Sequence, residues 1–168
     1  MTKASEVIKA LNGRTICTAE SCTGGMIGAA LTAVPGSSAV YKGGIISYWS
    51  EIKHTLLGVE EETLAKLGPV SAQVAEQMAK GAREALKADI AVSVTGSAGP
   101  DPDERGTPVG IVYIGLATPT GTFCRPLDLG KRRRDRIQDL ATNHAFDVVR
   151  RYLSGLPVEK VTRRTSHS

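Results

Sequence analysis

Between Thr15 and Gly25 the chain reads Thr-Ile-Cys-Thr-Ala-Glu-Ser-Cys-Thr-Gly-Gly. An apolar run of strand length passes through polar residues into two glycines, and a helical run follows from Met26 to Val34. Thr15 to Ala19 suit a short buried strand, and Gly24 and Gly25 allow the backbone to approach a ligand closely just before the helix. Unpaired N–H groups at that helix start would meet a bound anion or an oxyanion. Ser21 sits in the joint, which gives the layout of a strand, nucleophile and helix turn, although Gly-x-Ser-x-Gly itself is absent. The competing reading is a plain helix start in which Ser21 or Thr23 caps the first turn.

The rest of the chain builds a setting for that joint. Its 168 residues are enough for one compact domain with a real core, expected over 1–155, followed by a polar, loosely ordered tail over 156–168. Hydrophobic residues make up 41% and charged residues 23%, an ordinary globular balance that argues against general disorder. No apolar run approaches 18 residues and no charged-then-apolar leader opens the chain, so neither a membrane span nor a secretory signal is expected and the cytoplasm is the expected location. Cys17, Cys22 and Cys124 are an odd set without metal-site spacing and read as reduced thiols, with no metal and no cofactor expected. Much of the net charge of +4 is local, in Lys131 to Arg136 and in Lys160, Arg163 and Arg164. With one Trp, two Phe and four Tyr, the chain lacks the interleaved basic and stacking groups of a nucleic-acid surface.

In chain order, Ser5 to Leu11 predicts a leading helix closed by Asn12-Gly13, and Gly43 to Trp49 a second strand. Glu51 to Leu57 and Glu60 to Leu67 predict two short helices stopped at glycines. Val74, Met78, Ala82, Ala85 and Leu86 recur at helical spacing, which makes 72–87 the clearest amphipathic helix, capped by Ser71. Asp89 to Val94 is a near-continuous apolar strand that opens into Thr95-Gly96-Ser97-Ala98-Gly99-Pro100, a second ligand-facing loop. Val109 to Ala117 and Thr122 to Leu129 predict a hairpin. A long helix beginning between Arg132 and Asp135 closes the domain, with Ile137, Leu140, Ala141, Ala145, Val148 and Tyr152 toward the core and His144 near that apolar face. Strands interleaved with helices point to an α/β fold, a three-layer α/β/α sandwich around a mixed β-sheet.

Three separated segments together resemble the CinA C-terminal domain family. They are 19–25 (Ala-Glu-Ser-Cys-Thr-Gly-Gly), Gly44-Ile45-Ile46-Ser47-Tyr48 with Lys53 and Leu57-Gly58-Val59, and Thr95 to Pro100 with Pro108-Val109-Gly110. The resemblance spans roughly Glu6 to Leu153 and is to the stand-alone form that includes nicotinamide-mononucleotide deamidases. It implies a serine nucleophile at Ser21, an active-site tyrosine at Tyr48 and a catalytic lysine at Lys53. It also implies a substrate-binding shell of Glu20, Cys22, Thr23, Gly24 and Gly25 with Thr95, Gly96, Ser97, Ala98 and Gly99. A phosphate-binding arginine is implied near the last helix: the gap-free match selects Arg134, whereas aligning Gly130 with the family glycine selects Arg132.

The implied activity is hydrolysis of nicotinamide mononucleotide to nicotinate mononucleotide and ammonia in pyridine-nucleotide salvage. It needs no metal and no cofactor, takes a small-molecule substrate, and leaves homo-oligomerisation open. Serine is a weak nucleophile at its free pKa, and a lysine whose pKa burial lowers can take its proton. Tyr48 is a candidate relay, and amides around Cys22 to Gly25 are candidate oxyanion donors. The rival chemistry is a thiol pair of Cys22 with His54. The rival function is a non-catalytic nucleotide- or protein-binding module linked to competence or DNA damage. Asp101 to Arg105 read as a solvated loop able to act as a lid.

Overall fold

The structure, a computed structural model, describes residues 1–162. Helix α1 (Lys3–Leu11) begins at Thr2, whose hydroxyl accepts from the Ser5 amide, and buries Val7 and Leu11. Strand β1 (Ile16–Glu20) leads to α2 (Met26–Thr32), a 3-10 turn (Ser37–Ala39) and β2 (Tyr41–Ile46). Helices α3 (Ser50–Leu57), α4 (Glu61–Leu67) and α5 (Ala72–Leu86) precede β3 (Ile90–Gly96). The hairpin of β4 (Ile111–Thr118) and β5 (Gly121–Asp128) and the final helix α6 (Arg134–Leu153) complete the chain.

The sheet order is β2-β1-β3-β4-β5, with β2, β1 and β3 parallel and the last two pairings antiparallel. Residue size divides the two faces. Ile16, Ile90, Val92, Val94, Val112, Ile114 and Leu116 form the large-residue face, and α1, α2 and α6 cover it with Leu11, Ile27, Ile137 and Val148. Cys17, Ala19, Ala91 and Ala117 form the small-residue face, against which α5 packs Val74, Met78, Ala79 and Ala82. The mixed sheet between two helix layers is the expected three-layer sandwich.

Small residues bring α5 very close. A Cβ on Gly115 would lie 2.3 Å from the Ala75 carbonyl oxygen, the same oxygen that accepts the Ser93 hydroxyl. On the other side of α5, a Cβ on Gly81 would lie 1.7 Å from the Leu57 carbonyl oxygen. Helix propensity favours alanine at position 81 by about 1 kcal/mol, but a backbone oxygen cannot rotate away as a side chain can. Gly81→Ala is therefore expected to lower unfolding free energy by about 2 kcal/mol, read as a reduced urea midpoint. An unchanged midpoint would show that α3 can shift freely.

Two boundaries differ from expectation for physical reasons. Strand β2 stops at Ile46, because the Ser47 amide donates to Glu20 O and the chain then turns into α3 with Trp49 as its N-cap residue. Contacts with the body of the domain continue past the expected boundary at 155, between Leu156 and Thr162. Fully buried Arg125 donates to the carbonyls of Val158 and Lys160 and pairs with Asp147 at 2.8 Å, and the Thr162 amide donates to the same carboxylate. Removing one member of a buried ion pair strands the other, so loss of either Arg125 or Asp147 would be costly. His144 is fully buried beside Arg125, whose Nη1 lies 3.1 Å from its Nδ1. Arg163, Arg164 and His167 lie outside the described residues.

Candidate active site

Parallel pairing sets Glu20 beside both Ile46 and Val94, so the carboxyl ends of β1, β2 and β3 meet at one edge and their loops gather there. A cavity of about 880 Å³ opens at this edge. Its wall includes Ser21 and Cys22 after β1, Tyr48, Trp49 and Lys53 after β2, Thr95 to Gly99 after β3, and Arg134 at the start of α6.

Lys53 is the centre of the polar arrangement. It is 1% exposed, and its Nζ lies 2.8 Å from Ser21 Oγ, 2.6 Å from Ser47 O and 3.2 Å from Tyr48 O. These are the only acceptors of Nζ among the described residues, and none of them is a carboxylate. Burial pulls the ammonium down to about 8, against a smaller upward pull from Cys22. A neutral amine has two N–H groups and one lone pair. With the two N–H groups on the Ser47 and Tyr48 carbonyls, the lone pair faces the Ser21 hydroxyl.

The turn after β1 departs from the anion-cradle expectation. Glu20 is 2% exposed and does not line the cavity: its carboxylate turns inward. It accepts from Thr23 Oγ1 at 2.7 Å and from the amides of Gly25, Ile27 and Gly28 at 3.2, 2.9 and 3.0 Å. The first turn of α2 is thus capped by Glu20 and not by Ser21 or Thr23, and it is closed to an external anion. Thr23, Gly24 and Gly25 lie outside the cavity lining, so of the turn residues expected to contact substrate only Cys22, next to Ser21, lines the cavity. The Gly24 amide bonds Ser21 O, whereas the amides of Cys22 and Thr23 bond no other residue among those described.

Tyr48 contributes its carbonyl to Lys53, but its phenol accepts from Arg134 Nη2 at 2.7 Å. The phenol is half-exposed and makes no hydrogen bond to Ser21 or Lys53. Arg134 also donates to Gly99 O, which ties the loop after β3 to α6. Arg132 lies outside the cavity lining and donates to Leu129 O, so of the two arginines it is Arg134 that reaches the cavity. Thr95 lines the cavity, with its hydroxyl donated to Pro69 O. Gly96, Ser97, Ala98 and Gly99 form the wall beside it.

The Cys22–His54 pairing does not form. His54 Nδ1 lies 2.7 Å from Val59 O, and burial pushes the Cys22 thiol up to about 12. Cys17 and Cys124 are likewise unpaired thiols, and no metal-binding cluster is present among the described residues. No helix among the described residues is long and apolar enough to cross a membrane.

Residues 2–153 match the model of the CinA C-terminal domain family. The chain belongs to that family. A CinA-like protein of Cyanothece sp. is 50% identical over 155 residues, which cover 89% of this chain and 37% of that protein. The chain spans about a third of the length of the curated relatives it matches. A CinA superfamily protein of Klebsiella pneumoniae has the same fold, with a TM-score of 0.87 and 31% identity over 91% of this chain and 96% of that one. The competence/damage inducible protein CihA of Agrobacterium tumefaciens matches with a TM-score of 0.77 and 36% identity, covering 92% and 94%.

Several residues of this CinA-family site carry no local sequence signal. Ser47 enters through its carbonyl alone, which any residue could supply. Gln138 Nε2, one turn into α6, donates to Cys22 O at 2.9 Å. Arg105 reaches across Gly68 to the carbonyls of Leu64 and Ala65, which clasps the 101–105 loop over the cavity. A loop–helix clasp of this kind is visible only once both partners are placed.

Proposed function

We propose that this CinA-family domain is a serine amidohydrolase that converts nicotinamide mononucleotide to nicotinate mononucleotide and ammonia. The reading is carried by one observation, the contact of Lys53 Nζ with Ser21 Oγ inside a cavity that Arg134 also lines. Ser21 Oγ attacks the carboxamide carbon as its proton passes to Lys53, and the carbonyl oxygen becomes an anion facing the Cys22 amide. Lys53 then returns the proton to the departing ammonia, which leaves an ester on Ser21. Water, deprotonated by Lys53, attacks that ester and releases the carboxylate product and the free serine. The test is ammonia release when the purified protein is mixed with nicotinamide mononucleotide.

The phosphate belongs at Arg134. With α2 closed by Glu20, the start of α6 offers an anion both a first turn that no side chain caps and an arginine, Arg134, that reaches the cavity. Phosphate binding there would hold the carboxamide against Ser21. Arg134→Ala is expected to cut kcat/KM for nicotinamide mononucleotide by about a hundredfold while changing hydrolysis of nicotinamide riboside, which lacks the phosphate, by less than about threefold. The same pair of measurements on Arg132→Ala should show little change. If Arg132→Ala alone loses the phosphate-dependent rate, the arginine assignment is reversed.

The second reading, a non-catalytic binding module, draws on the competence-related names of relatives. It gives no account of a buried lysine held against a serine. An absence of ammonia release, with tight binding of the nucleotide, would favour it.

A further inference from the structure

The nucleophile turn contains a buried acid that the reaction steps do not use. Glu20 ends β1, one residue before Ser21, and lies behind the turn and away from the cavity. Four donors converge on its carboxylate, three of them backbone amides at the start of α2 and the fourth the Thr23 hydroxyl. The chain between Ser21 and Gly25 is therefore folded back over the end of its own strand and anchored at its middle and its far end. Gln138 holds the same turn from α6 through the Cys22 carbonyl.

The consequence is a separation of roles within one turn. The amides a helix start would normally offer to a ligand are consumed by Glu20, whereas the amide of Cys22, a cavity-lining residue, bonds no other residue among those described. We propose that Glu20 is a positioning residue: by occupying the start of α2 it holds the Ser21–Thr23 turn so that the Cys22 amide, beside the cavity, receives the oxyanion of the reaction. The inference rests on the serine amidohydrolase reading of the same site. Glu20 touches no substrate atom and acts through the turn.

Glutamine at this position has the same shape but cannot accept at both terminal atoms. Its NH2 group would face either the Gly28 amide or the cluster of three donors on the other oxygen. Glu20→Gln is expected to lower kcat for ammonia release by about a hundredfold, the scale for loss of an oxyanion donor, with KM for nicotinamide mononucleotide changed by less than about threefold. Thr23→Val removes one donor at nearly constant volume and is expected to cost about tenfold in kcat, with Thr23→Ser regaining most of the loss. These two variants carry the test if Glu20→Gln does not fold.

A direct readout is the affinity of 3-pyridylboronic acid. Its boron adds Ser21 Oγ to form a tetrahedral anion with the proton taken by Lys53, and so mimics the oxyanion without any turnover. Boronate affinity should fall in Glu20→Gln and Thr23→Val in step with kcat, while affinity for nicotinate mononucleotide stays within about threefold of wild type. A folded Glu20→Gln protein with wild-type kcat and boronate affinity overturns the proposal. So does a rate loss that tracks only the unfolded fraction, with Thr23→Val fully active. If wild type releases no ammonia but binds the boronate in a Glu20-dependent way, the substrate assignment fails and the positioning role stands. If wild type does neither, both fall.

Discussion

Ser21→Ala is expected to reduce ammonia release from nicotinamide mononucleotide by on the order of a thousandfold or more, because no other group is placed to form the covalent intermediate. The protein should still fold. The Ser21 amide bonds Val94 O through the backbone, which alanine preserves, and the lost side-chain contact leaves Lys53 with the Ser47 and Tyr48 carbonyls. Mass spectrometry of a quenched reaction should find the acyl group on Ser21. Label on Cys22 would transfer the chemistry to the thiol, an outcome the burial of that group and its pKa of about 12 disfavour. Turnover by Ser21→Ala near the wild-type rate would end the serine mechanism.

Lys53→Met should be nearly inactive, and Lys53→Arg should not restore the rate, because a guanidinium stays protonated and cannot accept the serine proton. The pH dependence follows from the same group. Lys53 works as a base only when neutral, so kcat/KM should rise with pH and level off above an apparent pKa near 8. Stability should report the same titration with a definite sign. The native pKa lies below the ordinary 10.5, so at this group the unfolded chain binds more protons between those values, and Lys53 contributes a rise in stability with pH across about 8 to 10.5, read as wild type minus Lys53→Met. Lys53→Met lacks that rise, and urea unfolding of the two proteins at both ends of the window measures it. A flat pH–rate profile, or an active arginine variant, would make Lys53 a structural residue.

How much of this was legible in the chain can be argued residue by residue. Periodicity located α5 from Val74, Met78 and Ala82, and it located β3 from an unbroken apolar run, because a helix stripe and a doubly covered strand each leave a distinct pattern. The end of β2 was less legible. Tyr48 and Trp49 have strand-favouring side chains, yet the chain leaves the sheet at Ser47 to present two carbonyls to Lys53. Leu156 to Thr162 fall within a tail, 156–168, that reads as loose because it is polar as a whole, and Arg125, which bonds the Val158 and Lys160 carbonyls, lies more than thirty residues away in the chain.

For the site, the sequence alone determined the family resemblance, the candidate serine and lysine, and the edge of the sheet at which they should meet, since motif spacing and strand-to-loop order are local properties. Tertiary structure alone decided what each group faces. Glu20 turned from a candidate substrate contact into the inward cap of α2, and the Tyr48 phenol went to Arg134 and away from Ser21. Arg134, and not Arg132, reached the cavity. The physical reason is the same in each case: a side chain's chemistry is written in its own residue, but the donors and acceptors that satisfy it come from segments whose approach depends on the whole sheet and its helices.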